Sequence, residues 1–175
     1  VICISVFRFK KFEVVNERSA MKVNTDGVLL GAYMTIRPED KRFLDIGTGT
    51  GTIALMAAQR MAPPSMEQGI SCPQTVDVAI AGHNKWQSVP IHIDAIDIDE
   101  PSASEAAQNF RNSPWADMLH AHNISLEDFA LDVRNRYQQT FQADIHHAPE
   151  PYDLIFSNPP YFEDSLTAPD ERKST

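Results

Sequence analysis

"RFLDIGTGTGTIALMAAQRM", Arg42–Met61, begins as a β-strand, crosses a glycine loop and continues as an α-helix. Gly47, Gly49 and Gly51 fall in the turn between the two. Glycine permits a tight reversal there and lets backbone amides approach a ligand without interference from a Cβ atom. The spacing is G-x-G-x-G, not the G-x-G-x-x-G of dinucleotide-binding turns, and the Lys-Ser/Thr of a phosphate-binding P-loop is missing. A plain strand-to-helix turn is the competing reading of these glycines taken alone.

Outward from this stretch the same alternation continues. "IHIDAIDIDE", Ile91–Glu100, reads as the next strand, and "PSASEAAQNFRN", Pro101–Asn112, as a helix with Pro101 in its first turn and Pro114 beyond its end. His120–Ser125 is a third, weaker strand, and "YDLIF", Tyr152–Phe156, a fourth, opened by Pro151. Strands alternating with helices imply an α/β fold, a parallel sheet wound on both faces. Upstream, Phe7, Phe9 and Phe12 interleave with cations and suggest a strand or hairpin. "NTDGVLLGAYM", Asn24–Met34, reads as a helix with Thr25 or Asp26 as N-cap and Gly31 as a weak point inside it. Residues 61–92 break the rhythm. Connections between helix and strand usually take a handful of residues, whereas this one runs to roughly thirty, rich in Pro, Gly, Ser and Gln, and reads as an inserted loop. Residues 1–42 are thus a hairpin and helix extension of the same domain whose sheet lies in 43–175.

A chain of 175 residues with 42% hydrophobic and 22% charged content suits one soluble globular domain with a sizeable core. No apolar run approaches a membrane span, and "VICISV" at the start is too short, and wrongly flanked, for a signal peptide. Cys3 and Cys72 have no metal-ligand spacing, and His146-His147 sits in a Pro-rich loop as solvated surface. The expectation is a reduced, cytoplasmic, monomeric protein with no metal and no membrane partner. The net charge of −9 argues against a nucleic-acid partner, but it is unevenly spread: residues 1–42 carry +3 and the remainder −12. Arg8, Lys10, Lys11, Arg18 and Lys22 form either a phosphate-facing strip or a strand edge protected by charge.

Acids accompany the glycine loop. Asp45 lies two residues before Gly47, and Asp97 ends the second strand, where a carboxylate can bind both hydroxyls of a ribose. Asp94 and Asp99 compete for that role, but Ile93, Ile96 and Ile98 fix the strand and leave Asp97 near its end. The gap from the glycines to that acid is usually about 20 residues; here it is longer, and removing the inserted loop restores it. An acid so near the first glycine disfavours a pyrophosphate. It welcomes a cofactor carrying an amino group and a sulfonium, which points to S-adenosylmethionine.

"SNPPYF", Ser157–Phe162, follows the fourth strand directly. Two prolines in a row remove two backbone donors, so the strand cannot continue. Ligands of open α/β sheets bind at the carboxyl ends of the strands, where this corner, the glycine loop and Asp97 should converge. An exocyclic amine is a poor nucleophile because its lone pair is delocalised. Two acceptors on its N–H groups, Asn158 Oδ1 and the Pro159 carbonyl, would favour a pyramidal, reactive nitrogen. Pro160 stiffens the corner, and Tyr161 offers a π-face to a planar acceptor. Catalysis would then be positioning and charge complementarity. A structural turn is the alternative.

"LDIGTGTG", "IDIDE" and "NPPY" in this order resemble class I methyltransferases that modify exocyclic adenine amines or glutamine side-chain amides. "FRFKKF", "AMKVNTDGVLLGAY", "NSPWA" and "NPPYFEDSLTAPDERKST" are similar to the bacterial tRNA(Val) adenine-N6 methyltransferases. That resemblance implies a Rossmann-like sheet, S-adenosylmethionine as cofactor, and the adenine 3′ of the anticodon as substrate. It implies that Asp45 and the three glycines cradle the methionine part of the cofactor, and that Asp97 with Ile98 holds its ribose side. Asp128-Phe129 falls where an acid usually binds the adenine amino group, although Ser125-x-x-Asp128 is also a capping-box start. Thr25 and Lys22 would edge the cofactor site, and Arg8, Lys10 and Lys11 would contact RNA. Such enzymes complete a seven-stranded sheet, whereas this chain supplies four strands. With no initiator Met, it reads as a partial methyltransferase domain truncated after the fourth strand.

Overall fold

The computed structural model describes residues 5–62, 90–143 and 150–159. Hairpin strands β1 (Val6–Arg8) and β2 (Glu13–Val15) come first, followed by α1 (Thr25–Tyr33), β3 (Arg42–Ile46), α2 (Thr52–Met61), β4 (His92–Asp97) and α3 (Glu100–Arg111). A short 3-10 turn leads into β5 (Leu119–Asn123), then α4 (Leu126–Ala143) and β6 (Leu154–Ser157). β3 to β6 form one parallel sheet in the order β5-β4-β3-β6.

That order carries the functional information. From β3 the chain steps outward through α2 to β4 and through α3 to β5, then returns to place β6 on the opposite side of β3. The direction of winding therefore reverses between β3 and β6. Ligand crevices of open α/β sheets open at such switch points, beyond the carboxyl ends of the strands.

Side chains alternate across β3 as a two-sided strand requires. Phe43 joins Ile93, Ala95 and Leu119 under α2 and α3, while Leu44 and Ile96 meet Phe129 of α4 on the other face. Helix α2 is buried almost all round because α1 covers its outer side. Gly31, which reads in sequence as a weak point of α1, is what permits this: a Cβ there would lie 2.7 Å from Met56 Sδ. The N-cap of α1 is Asn24 rather than Thr25 or Asp26, its side chain accepting the Gly27 amide at 2.8 Å. The hairpin rests on α3, with Phe12 and Val14 buried and the Phe12 ring edge-on to Trp115 at 5.6 Å.

Among the described residues β6 has β3 as its single partner, and no helix is long and apolar enough to cross a membrane. Most of the expected insertion, together with Cys3, Cys72, His146, His147, Pro160 and Tyr161, lies outside the described residues.

Gly51 caps α2 at φ 80°, with no side-chain cap, and a Cβ there would sit 2.5 Å from Phe110 Cε1. Gly51→Ala combines left-handed strain with overpacking of a well-filled site. It is expected to cost about 2–4 kcal/mol, measured by chemical denaturation of the purified protein.

Candidate active site

β3 delivers Asp45 to the sheet interior, and the chain then reverses through Gly47, Gly49 and Gly51 at φ 69°, 58° and 80°. These are left-handed conformations that side chains rarely adopt. The reversal is pinned at several points. The Gly47 and Thr48 amides donate to the Ile96 carbonyl at 2.9 and 3.1 Å, and the Gly51 amide to the Thr48 carbonyl at 2.9 Å. A Cβ on Gly47 would meet nothing within 4 Å, so the loop is open on that side. A Cβ on Gly49 would press on Ser19 Oγ at 3.3 Å.

Asp45 is fully buried, and Thr48 Oγ1 donates to its Oδ2 at 2.8 Å. Its Oδ1 has no hydrogen-bond partner among the described residues. Burial pushes the carboxyl up to about 7, and the nearby Asp97 charge adds to the effect. Two acids, buried Asp45 and half-buried Asp97, beside an open glycine loop are the electrostatic setting in which a cationic ligand fits.

Asp97 stands at the carboxyl end of β4, half-buried. Its Oδ2 accepts the Gly49 amide and its Oδ1 the Asp99 amide, both at 2.9 Å. The carboxylate therefore ties the β3–α2 turn to the β4–α3 turn. Two carboxylate oxygens offer about four acceptor positions, which leaves capacity for ribose hydroxyls. The competing acids are engaged elsewhere. Asp99 caps α3, accepting the Ser102 amide at 3.0 Å and Ser102 Oγ at 2.7 Å. Asp94 faces the α4 side of the sheet, bonded to His92 and His122 Nε2 and to the Tyr152 hydroxyl at 2.9, 2.7 and 2.7 Å. Although burial opposes ionisation there, bonds from His122 and Tyr152 bring the Asp94 carboxyl down to about 2.

Asn158 follows β6 and reaches the same cleft, which Met21, Lys22, Asn24, Gly27, Gly47, Thr48 and Gly49 also line. Glycine loop, Asp97 and Asn158 thus converge at the strand ends, as their positions in sequence predict. Pro159 is exposed beside them, and Ile98 is 77% exposed next to Asp97.

Other candidates are placed differently. Thr25 is exposed in the first turn of α1, next to the cleft-lining Asn24. Asp128 is exposed; the Ser125 hydroxyl donates to its Oδ2 at 2.8 Å and accepts its amide at 3.1 Å, so one half of the capping box forms. Phe129 is buried in the α4-side core. Arg8 pairs with Glu13 at 2.9 Å on the hairpin surface. Lys10 and Lys11 lie at the hairpin turn. The neighbouring Phe12 ring packs on Trp115, just past the end of α3. Lys22 alone of this strip lines the cleft.

Sequence reasoning missed what holds the cleft wall. Glu105, fully buried on α3, accepts the backbone amides of Glu17, Arg18 and Ser19 at 2.9, 2.7 and 3.2 Å. Asn109, one turn on, bonds both backbone groups of Val15 and donates to the Thr50 carbonyl at 2.8 Å. The available signal was polar Ser102, Glu105 and Asn109 recurring at helical spacing amid Ala103, Ala106 and Phe110.

This geometry can be set beside known proteins. No protein-family model matches the chain. The tRNA1(Val) (adenine(37)-N6)-methyltransferase of Bacteroides thetaiotaomicron is 37% identical over 168 residues, 96% of this chain and 52% of that protein. The resemblance read from the sequence holds. Proteins of the same name from Yersinia pestis and Yersinia pseudotuberculosis are 37% identical over 169 residues, 97% of this chain and 51% of theirs. The chain spans about half the length of these curated relatives. Its parallel sheet, with the glycine turn after β3 and the acid after β4, is Rossmann-like.

Asp45 provides a pH test. A carboxyl whose folded value is raised from 3.8 to about 7 stabilises the fold below about pH 4, and that contribution fades as pH rises through 7. The linkage is worth up to roughly 4 kcal/mol. Asp45→Asn is therefore expected to gain stability relative to wild type at pH 8 compared with pH 4.5, measured by denaturation at both. An unchanged difference would mean that Asp45 is ionised throughout.

Proposed function

We propose that this chain carries the cofactor-binding and amine-orienting part of an S-adenosylmethionine-dependent methyltransferase acting on the N6 amine of an adenine in the tRNA(Val) anticodon loop. The observation that carries the reading is the meeting of Asn158 and the glycine loop in one cleft, in a chain 37% identical over nearly all its length to enzymes named for that reaction. The protein would act in the cytoplasm as a monomer.

S-adenosylmethionine, when bound, supplies an electrophilic methyl group on a positively charged sulfur. The open face at Gly47 would receive its methionine part, with Asp45 behind the loop complementing positive charge. Asp97 would take the ribose hydroxyls while keeping the loop in place, and exposed Ile98 would cover an apolar face. Asp128 and Thr25 would contribute at the margin of this site; for Asp128 the bond to Ser125 is a competing use. In the Asn-Pro-Pro-Tyr corner, Asn158 Oδ1 and the Pro159 carbonyl would accept the two N–H groups of the adenine amine and direct its lone pair toward the methyl. Pro160 would hold that corner rigid, and Tyr161 would stack on the base once it leaves the anticodon stack.

The Asn158 role is tested in the intact protein by single-turnover methyl transfer to tRNA(Val). Asn158→Ala is expected to lower the rate about 10²–10³-fold with cofactor affinity unchanged. Tyr161→Ala is expected to weaken RNA binding by roughly 1–3 kcal/mol, and Tyr161→Phe to leave it unaltered. Near-normal turnover by Asn158→Ala would reduce the corner to a turn. Labelled product that resists ribonuclease would point instead to glutamine methylation of a protein.

Lys10 and Lys11, with Arg8, would touch phosphates of the RNA. Lys10→Glu with Lys11→Glu is then expected to weaken tRNA binding and to flatten its dependence on salt by roughly one unit of log–log slope for each phosphate no longer neutralised. A slope equal to that of the wild type would assign these residues to a solvated edge.

A further inference from the structure

Asn158 meets a partner at the cleft wall: its Nδ2 lies 3.4 Å from Asn24 Oδ1 and 3.8 Å from Met21 Sδ. Helix α1 dictates which atoms face each other. Asn24 caps that helix, and the side-chain atom 2.8 Å from the Gly27 amide must be its oxygen, because an N–H group needs an acceptor. The opposite end of the Asn24 amide is 3.1 Å from the Lys22 carbonyl, which needs a donor and so takes the nitrogen. Both bonds give the same orientation. An oxygen fixed in this way selects a donor from Asn158, so Asn158 turns its nitrogen toward Asn24 and its oxygen the other way.

The surroundings support this meeting. Gly27 is buried beneath the pair, and a Cβ there would lie 3.4 Å from both Asn158 Nδ2 and Asn24 Oδ1. The segment that carries Asn24 is anchored through the Glu105 bonds to residues 17–19. At 3.4 Å the contact is long, as hydrogen bonds around catalytic groups often are before substrate binds.

We propose that Asn24 is a positioning residue that sets which way round the Asn158 carboxamide sits, so that oxygen and not nitrogen meets the incoming amine. The inference rests on the reading of Asn158 as an amine acceptor. A reversed carboxamide would set N–H against N–H and repel the group it has to orient. One side chain, Asn24, thus serves both the cap of α1 and the polarity of the reactive corner.

The test compares Asn24→Ser with Asn24→Asp in the intact protein. Serine still caps the helix but ends one bond short of Asn158; aspartate gives up the donor to the Lys22 carbonyl but still offers an oxygen to both Gly27 and Asn158. In single-turnover transfer to tRNA(Val), Asn24→Ser is expected to lose up to about a hundredfold in rate, with melting temperature and cofactor affinity held. Asn24→Asp is expected to recover most of that loss. The side-chain amide NMR signals of Asn158, identified by their disappearance in Asn158→Ala, should move to a non-bonded position in the Ser variant and stay at a hydrogen-bonded one in the Asp variant. The proposal is overturned if the Ser variant turns over at the wild-type rate, or if its rate falls while the Asn158 signals do not move. If the wild-type protein transfers no methyl to tRNA, it is the functional reading that fails, and the amide signals alone then decide the orientation.

Discussion

The chain reversal between β3 and α2 is the constraint on which the remaining architecture depends. Three residues in left-handed conformation bring the chain around between Ile46 and Thr52. Because each is glycine, other parts of the molecule close in on the turn: Phe110 of α3 against Gly51, Ser19 and Met21 against Gly49. The Asp97 carboxylate then links this turn to the start of α3 through two backbone amides. Loop, acid and helix are one hydrogen-bonded assembly, so a ligand that engages any of them meets a surface organised before it arrives.

Helix α3 takes part in that assembly through polar groups in a buried stripe. Glu105 and Asn109 stand where apolar side chains would be the simpler choice, and their bonds go to main-chain groups that have no strand to pair with. A buried polar group without partners costs free energy; here the costs of helix and segment offset each other. The result is specificity of placement, since three converging amides and a carboxylate fit in one register, whereas an apolar contact tolerates sliding.

The sheet, its helices and the convergence of Asp45, Asp97, Asn158 and the glycines are legible in the sequence because each rests on local pattern: period-two apolar strands, glycine turns, proline stops. The place of Asp97 at the end of β4 is legible for the same reason, whereas the work of Asp94 as a histidine–tyrosine partner and of Asp99 as a helix cap shows only in the structure. What the sequence conceals is long-range. Nothing near Glu105 indicates residues 17–19 as its partners, and Gly31 resembles a weakness until Met56 is found beside it. Asn24 was hidden by its neighbours, since Thr25 and Asp26 are equally good caps by composition and the φ/ψ of the first turn decides among them. The charge strip reads as continuous along the chain, but the hairpin divides it, leaving Lys22 at the cleft and Lys10 and Lys11 at the hairpin turn.

The Glu105 bonds also set an order of events during synthesis. They join residues 86 to 88 positions apart. At about 5–20 residues per second, residues 17–19 are made roughly 4–18 seconds before their acceptor. Through that interval the hairpin has neither Asn109 to bond Val15 nor Trp115 to cover Phe12. A two-stranded ribbon is marginal by itself, and its unpaired edges invite pairing with other chains. The wall of the cleft, though made before α3, is completed after it, and the hairpin segment needs shelter while α3 is being made.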